Sequence, residues 1–102
     1  MLSIVVLPQA DTDIDLYFFN MAEDNLAVAD KFLDRVEQTQ KLIACHPKIA
    51  PLFSTENADL SGMLWFPVKD FPKHLIFYIE DEIQISVVRM FHKAQDISNI
   101  LV

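Results

Sequence analysis

The sequence predicts an α+β fold in the order strand, helix, helix, strand, strand, strand, with a mainly antiparallel sheet, a helical hairpin packed on one face and a short C-terminal helix. Three observations predict it. An aliphatic run opens the chain and a proline closes it; two apolar stripes at helical spacing follow, parted by one polar break; and three β-rich runs separated by turn residues occupy the second half.

Residues 2 to 7, LSIVVL, are β-branched and aliphatic, which suits a strand buried on at least one face, and Pro8 ends it. From Ala10 the apolar positions Ala10, Ile14, Tyr17, Phe18 and Met21 fall on one side of a helix. Asp11, Asp13 and Asp15 load its first turns, where acids suit the positive end of the helix dipole and read as a solvated face. Glu23-Asp24-Asn25 breaks the pattern and supplies a cap. A second stripe of Ala29, Phe32, Leu33, Val36 and Ile43, broken by Gln40, marks the longest helix, which ends near Cys45-His46-Pro47 because proline cannot continue the hydrogen-bond ladder. Two helices with so short a link form an antiparallel hairpin.

Residues 48 to 62 hold Pro51, Ser54, Thr55, Asn57, Ser61 and Gly62 and read as a surface loop or turn. Strands are expected over Met63 to Val68, over Leu75 to Ile79 after an Asp70-Phe71-Pro72 turn, and over Ile83 to Met90 after the acidic turn Glu80-Asp81-Glu82. In the last strand Ile83, Ile85 and Val87 alternate with Gln84 and Ser86, and the same parity points Arg89 to the side of the isoleucines.

At 102 residues, 52% hydrophobic with one Gly, the chain is long enough for one core and is read as a single domain over residues 1 to 102. The single Cys45 cannot form an intrachain disulfide, and Cys45-His46 matches no metal-ligand spacing, so no metal or cofactor is expected and the compartment is read as cytoplasmic. The opening apolar run is too short to span a membrane. Net charge is -7, with eight acids against four bases in residues 1 to 51 and seven against four in residues 52 to 102. No basic tail hides in that average, which argues against direct nucleic-acid binding.

Four segments carry a resemblance: the opening strand and first helix, AEDNLAVADKFLDRVEQT at 22 to 39, FPVKDFPKHLIFYI at 66 to 79, and VVRMFHKAQDI at 87 to 97. In this order and spacing they resemble the RelE/ParE toxin superfamily, the toxins of plasmid stabilisation systems and other type II toxin–antitoxin pairs. The combination FPVK-x-FPK-x-LIFY followed by R-x-x-H-x-A-x-D is the specific part. This chain departs from many relatives where they carry arginine: Leu64 and Trp65 before FPV, Ile79 after FY, and Gln95 in Ala94-Gln95-Asp96, where relatives read A-R-D. His74 stands where a tyrosine is common.

The resemblance implies an antitoxin partner and three functional readings. A ParE-type toxin poisons DNA gyrase by a protein–protein contact and has no catalytic centre of its own; arginine depletion and acidic charge fit this first. A RelE-type toxin cuts messenger RNA on the ribosome, where a 2′-hydroxyl attacks the adjacent phosphate while cationic side chains stabilise charge and others move protons. Lys69, Lys73, His74, Arg89 and His92 are the residues here that fit such roles, and their gathering in one exposed groove would favour it. The third reading is a degenerate toxin that keeps only antitoxin binding.

Each candidate has a plainer alternative. Arg89 either lines a groove or forms a salt bridge with Asp96 or Glu80. His92 either moves protons or anchors the turn into the C-terminal segment. Trp65 is open between packing and contact with a partner or a second copy, and Arg89 and Gln95 are the further partner-contact candidates. Phe66 is assigned to the core.

Overall fold

The computed structural model describes residues 1–50 and 62–94 of the chain. Six elements follow in order: β1 (Ser3–Val6), α1 (Pro8–Asp24), α2 (Leu26–Cys45), β2 (Leu64–Val68), β3 (Phe71–Glu80) and β4 (Gln84–His92). The expected C-terminal helix, with Gln95 and Asp96, lies outside the described residues, as does most of the expected surface loop. No helix among the described residues is long and apolar enough to cross a membrane.

The sheet order is β1-β4-β3-β2. β3 pairs antiparallel with β2 and β4, and β1 runs parallel to β4 with Ser3 opposite Gln84 and Val6 opposite Val87. Both helices cover one face. Their inward residues, among them Ala10, Ile14, Phe32, Val36 and Ile43, join Leu64, Val68, Ile76, Tyr78, Ile85, Val87 and Met90 in the main core. A smaller cluster of Met63, Leu75, Phe77 and Phe91 occupies the opposite face. The alternation along β3 produces this split, because Ile76 and Tyr78 point one way and Leu75 and Phe77 the other.

The helix α1 starts at Pro8, two residues before the first apolar position, since a proline at the first helical position forfeits an N–H that would have had no partner. Asn25 is the whole link between the helices. It ends α1 and caps α2, its side chain accepting a hydrogen bond from the Val28 N–H at 3.2 Å. Along α2 the stripe departs from expectation at three positions: Leu33 is exposed, whereas Thr39 and Gln40 are buried. Thr39 is accepted inside because its hydroxyl is satisfied on both sides, donating to the Arg35 carbonyl at 2.6 Å and accepting from the Lys69 N–H at 3.0 Å.

The turn between β2 and β3 is Lys69-Asp70 rather than Asp70-Phe71-Pro72, so Phe71 and Pro72 already belong to β3. Asp70 takes a left-handed conformation at φ 65° that Asp tolerates better than most residues, and Arg35 of α2 donates to its carboxylate at 2.7 Å. Pro67 sits on the edge strand β2, where a missing N–H costs the sheet least. Between β3 and β4, Asp81 Oδ1 accepts from both the Ile83 and Gln84 N–H groups, closing the turn.

The register of β3 against β4 shifts between Phe77 and Tyr78: Tyr78 lies opposite Val87 and Phe77 opposite Arg89, leaving Val88 as the extra residue of a bulge. This corrects the direction expected for Arg89. One inserted residue reverses the alternation, so Met90 rather than Arg89 shares the helix-facing core with Ile85 and Val87, and Val88 packs with the opposite cluster.

Candidate functional site

The parallel pairing of β1 with β4 stops at Val87, after which the chain turns into α1 and the rest of β4 would present bare N–H groups. The helix supplies acceptors in place of a strand. Asp13 Oδ2 accepts from the Met90 N–H at 3.0 Å, and one helical turn on, the Tyr17 hydroxyl accepts from the His92 N–H at 2.9 Å. The Arg89 guanidinium reaches the same carboxylate and donates to both Asp13 oxygens, from Nε at 2.7 Å and from Nη2 at 3.0 Å. Arg89 also stacks over the Phe91 ring at 4.6 Å. The hydrogen bonds it donates to Asp13 hold the Arg89 pKa above its ordinary value, and burial raises that of Tyr17.

Of the salt-bridge partners weighed for Arg89, Glu80 instead faces Lys48 at 3.4 Å and Asp96 lies outside the described residues, while the bridge Arg89 makes is with Asp13. Asp13 is correspondingly no member of a solvated acidic face. Sequence reasoning missed the pair because two effects mask it: the acids of a first turn are already explained by the helix dipole, and the bulge is invisible to parity. The usable signal is that Asp13 and Tyr17 are four residues apart, on one helix face that borders the apolar stripe.

Lys73, His74 and His92 come together around a pocket of about 240 Å³ completed by Asp70, Phe71 and Pro72. His74 stands in a box of aromatic rings, with centroid distances of 4.9 Å to Tyr17, 5.1 Å to Phe32, 6.3 Å to Phe71 and 5.0 Å to His92. Its Nδ1 is buried and meets no hydrogen-bond acceptor or donor among the described residues. Burial, with a smaller contribution from His92, brings its pKa down to about 4, so at neutral pH it is an uncharged ring. The other histidine anchors the chain beyond β4: the Ala94 N–H donates to His92 Nδ1 at 3.0 Å.

Lys69 and Arg89 are not part of this pocket. Lys69 lies on the rim of a separate apolar groove of about 460 Å³ between α2 and β2, lined mainly by Leu42, Phe66, Pro67, Val68 and Pro72. Arg89 lines the cleft along α1 with Asp13, Leu16, Tyr17 and Asn20. The five candidate residues thus divide among three places, with one cation already neutralised. Trp65 is half-buried beside the cluster on the far face of the sheet, and Phe66 packs against the main core as expected.

Comparison with known proteins agrees with the fold. Among solved structures, a chain described as "Chromosomal ParDE TA system from P. aeruginosa" is similar over 90% of this chain and 96% of its own length, with a TM-score of 0.72 at 13% sequence identity. Comparison with curated protein sequences gives no match. The family described as the ParE toxin of the type II toxin–antitoxin system, parDE, matches residues 4–97, from the first strand through the segment after His92. That match takes in every described element almost in full, and the chain belongs to the ParE toxin family of type II toxin–antitoxin systems.

Proposed function

We propose that this chain arrests growth as a ParE-type toxin, by binding a protein target, DNA gyrase, through its surface, and that a cognate antitoxin neutralises it. The observation that carries this reading is the dispersal of the basic side chains. A phosphate-cleaving centre needs cations and a proton-transfer group converging on one reacting phosphate. Here Arg89 is held in a bidentate pair by Asp13, Lys69 lies on another surface, and the net charge of -7 repels a nucleic-acid backbone.

The groove between α2 and β2 suits the antitoxin. Its Leu42, Phe66, Val68 and prolines offer apolar burial to an amphipathic or extended segment, and with so acidic a toxin the contact draws on burial more than on charge. Affinity for the antitoxin should accordingly change little with salt.

A second reading, ribosome-dependent cleavage of messenger RNA, is favoured by one observation: Lys73, His74 and His92 share a pocket. Induction of the chain alone in a bacterial host separates the two. Growth arrest with altered plasmid supercoiling and intact messages is the expected result. Arrest with cleaved messages would replace the first reading by the second, and absence of arrest would leave a module that only binds its antitoxin.

A further inference from the structure

The outward face of α1 has the wrong chemistry for a helix that meets only water. Leu16 and Phe19 are 57% and 62% exposed, and they stand in the middle of the solvent side, in a stripe with Thr12 and Glu23 at steps of four, three and four. Leu16 also forms one wall of a cleft of about 330 Å³ between α1 and β4, with Asn20 beside it and Phe91 under the Arg89 guanidinium opposite. Apolar anchors beside a cleft are what a side chain from another molecule would enter.

Charge decides which molecule. The first 30 residues contain six acids and no Lys, Arg or His. Asp13 is answered by Arg89, whereas Asp15 beside Leu16 and Glu23 at the end of the stripe are exposed and belong to none of the ion pairs among the described residues. A second copy of this chain would bring the same acids against each other in a two-fold contact. A segment with the opposite sign would gain both burial and attraction.

We propose that the Leu16–Phe19 face of α1 is a docking surface for a basic amphipathic protein segment, its aliphatic or aromatic residues set over Leu16 and into the α1–β4 cleft, and its Lys or Arg side chains meeting Asp15 and Glu23. The surface is separate from the α2–β2 groove, so the inference stands independently of how the antitoxin binds. It gives the toxin a second contact, selective for positive partners.

A synthetic helical peptide of about 18 residues, with a Leu/Phe stripe flanked by lysines, and a twin with glutamates in place of lysines, serve as probes against the full chain in fluorescence anisotropy. The lysine peptide should bind at least about tenfold more tightly than its twin. It should also weaken several-fold between roughly 0.05 M and roughly 0.3 M salt. The double variant Leu16→Ser/Phe19→Ser should lose about tenfold in affinity with an unchanged far-ultraviolet circular dichroism spectrum, and Glu23→Lys should lose a comparable factor. Glu37→Lys, an exposed charge reversal on α2, should leave binding unaltered. Equal binding of the twin, indifference to the Leu16/Phe19 double variant, or an equal loss in Glu37→Lys would overturn the proposal. So would sedimentation showing a dimer of the full chain that the double variant dissolves, since the face would then belong to a second copy.

Discussion

Asp13 and Arg89, 76 residues apart in sequence, are joined by two hydrogen bonds of 2.7 and 3.0 Å, and the same Asp13 carboxylate takes the Met90 N–H at 3.0 Å. One side chain therefore satisfies a guanidinium and an edge-strand amide together. The arrangement replaces, along the second half of β4, the partner strand that β1 no longer provides.

Removing it should cost stability in a defined way. Asp13→Ala leaves a part-buried guanidinium and a backbone N–H without their acceptor, and should destabilise by about 2–4 kcal/mol in urea unfolding. Arg89→Ala should cost less, because Asp13 retains the Met90 N–H. A double-mutant cycle on the pair should give a coupling of roughly 1–3 kcal/mol, and a coupling near zero would show that the pair is an incidental surface contact.

Tyr17→Phe tests the second acceptor alone. The ring stays, with its contact to His74, while the His92 N–H loses the hydroxyl oxygen. The expected loss is about 1 kcal/mol, accompanied by faster amide hydrogen exchange at His92 and little change at Ile76 in the centre of β3.

The aromatic box around His74 makes stability depend on pH. Its pKa is about 4 in the folded protein against an ordinary 6.5, so between these values the unfolded chain binds the proton more readily. Folding stability is then complete above pH 6.5 and falls as pH drops toward 4. With discount for solvent reaching the ring, the loss is roughly 1–2 kcal/mol. His74→Leu should flatten this part of the pH profile of the melting temperature and cost little at pH 7, since it removes a buried nitrogen that has no partner among the described residues. An unchanged slope would place the acid sensitivity elsewhere.

At the β2–β3 turn, the backbone can be separated from the ion pair. Asp70→Gly and Asp70→Ala both remove the carboxylate that Arg35 binds, and they differ in how they bear the left-handed φ of 65°. The glycine variant should be the more stable by about 1 kcal/mol. Equal stability would mean that the turn relaxes out of the left-handed region once the ion pair is gone.

The proposed function carries its own mutational expectation. If the chain acts by binding, Lys73→Ala and His92→Ala should still arrest growth on induction, within a few-fold of the parent in viable counts. Loss of arrest in both, with expression and folding intact, would point to proton transfer and charge stabilisation in the shared pocket.

Much of this architecture is legible in the residues. The two helical stripes, the Asn25 cap and the β-rich runs of the second half follow from local periodicity, which every short window of sequence displays. What eludes such a reading is non-local. The bulge at Val88 shows only when β4 is set against β3, and it reverses the side taken by Arg89. Gln40 reads as a break in a stripe, and nothing local marks Thr39 as buried until the β2–β3 turn arrives to engage it. The candidate cations are identifiable one at a time, yet that Arg89 is occupied by an aspartate of the first helix depends on how the strands bring residues 13 and 89 together.

The parallel pairing of Ser3–Val6 with Gln84–Val87 has a consequence for biosynthesis. β1 cannot find its only described neighbour until residues 84 to 87 have been translated, and the helix that follows it waits for the same strand to receive its Asp13 and Tyr17 acceptors. Nascent chains can gather the helical hairpin early, but β1 stays unpaired until β4 has been synthesised. Fragments from interrupted translation that stop before residue 84 would therefore lack the closed sheet, which forms in one cooperative step once β4 is available.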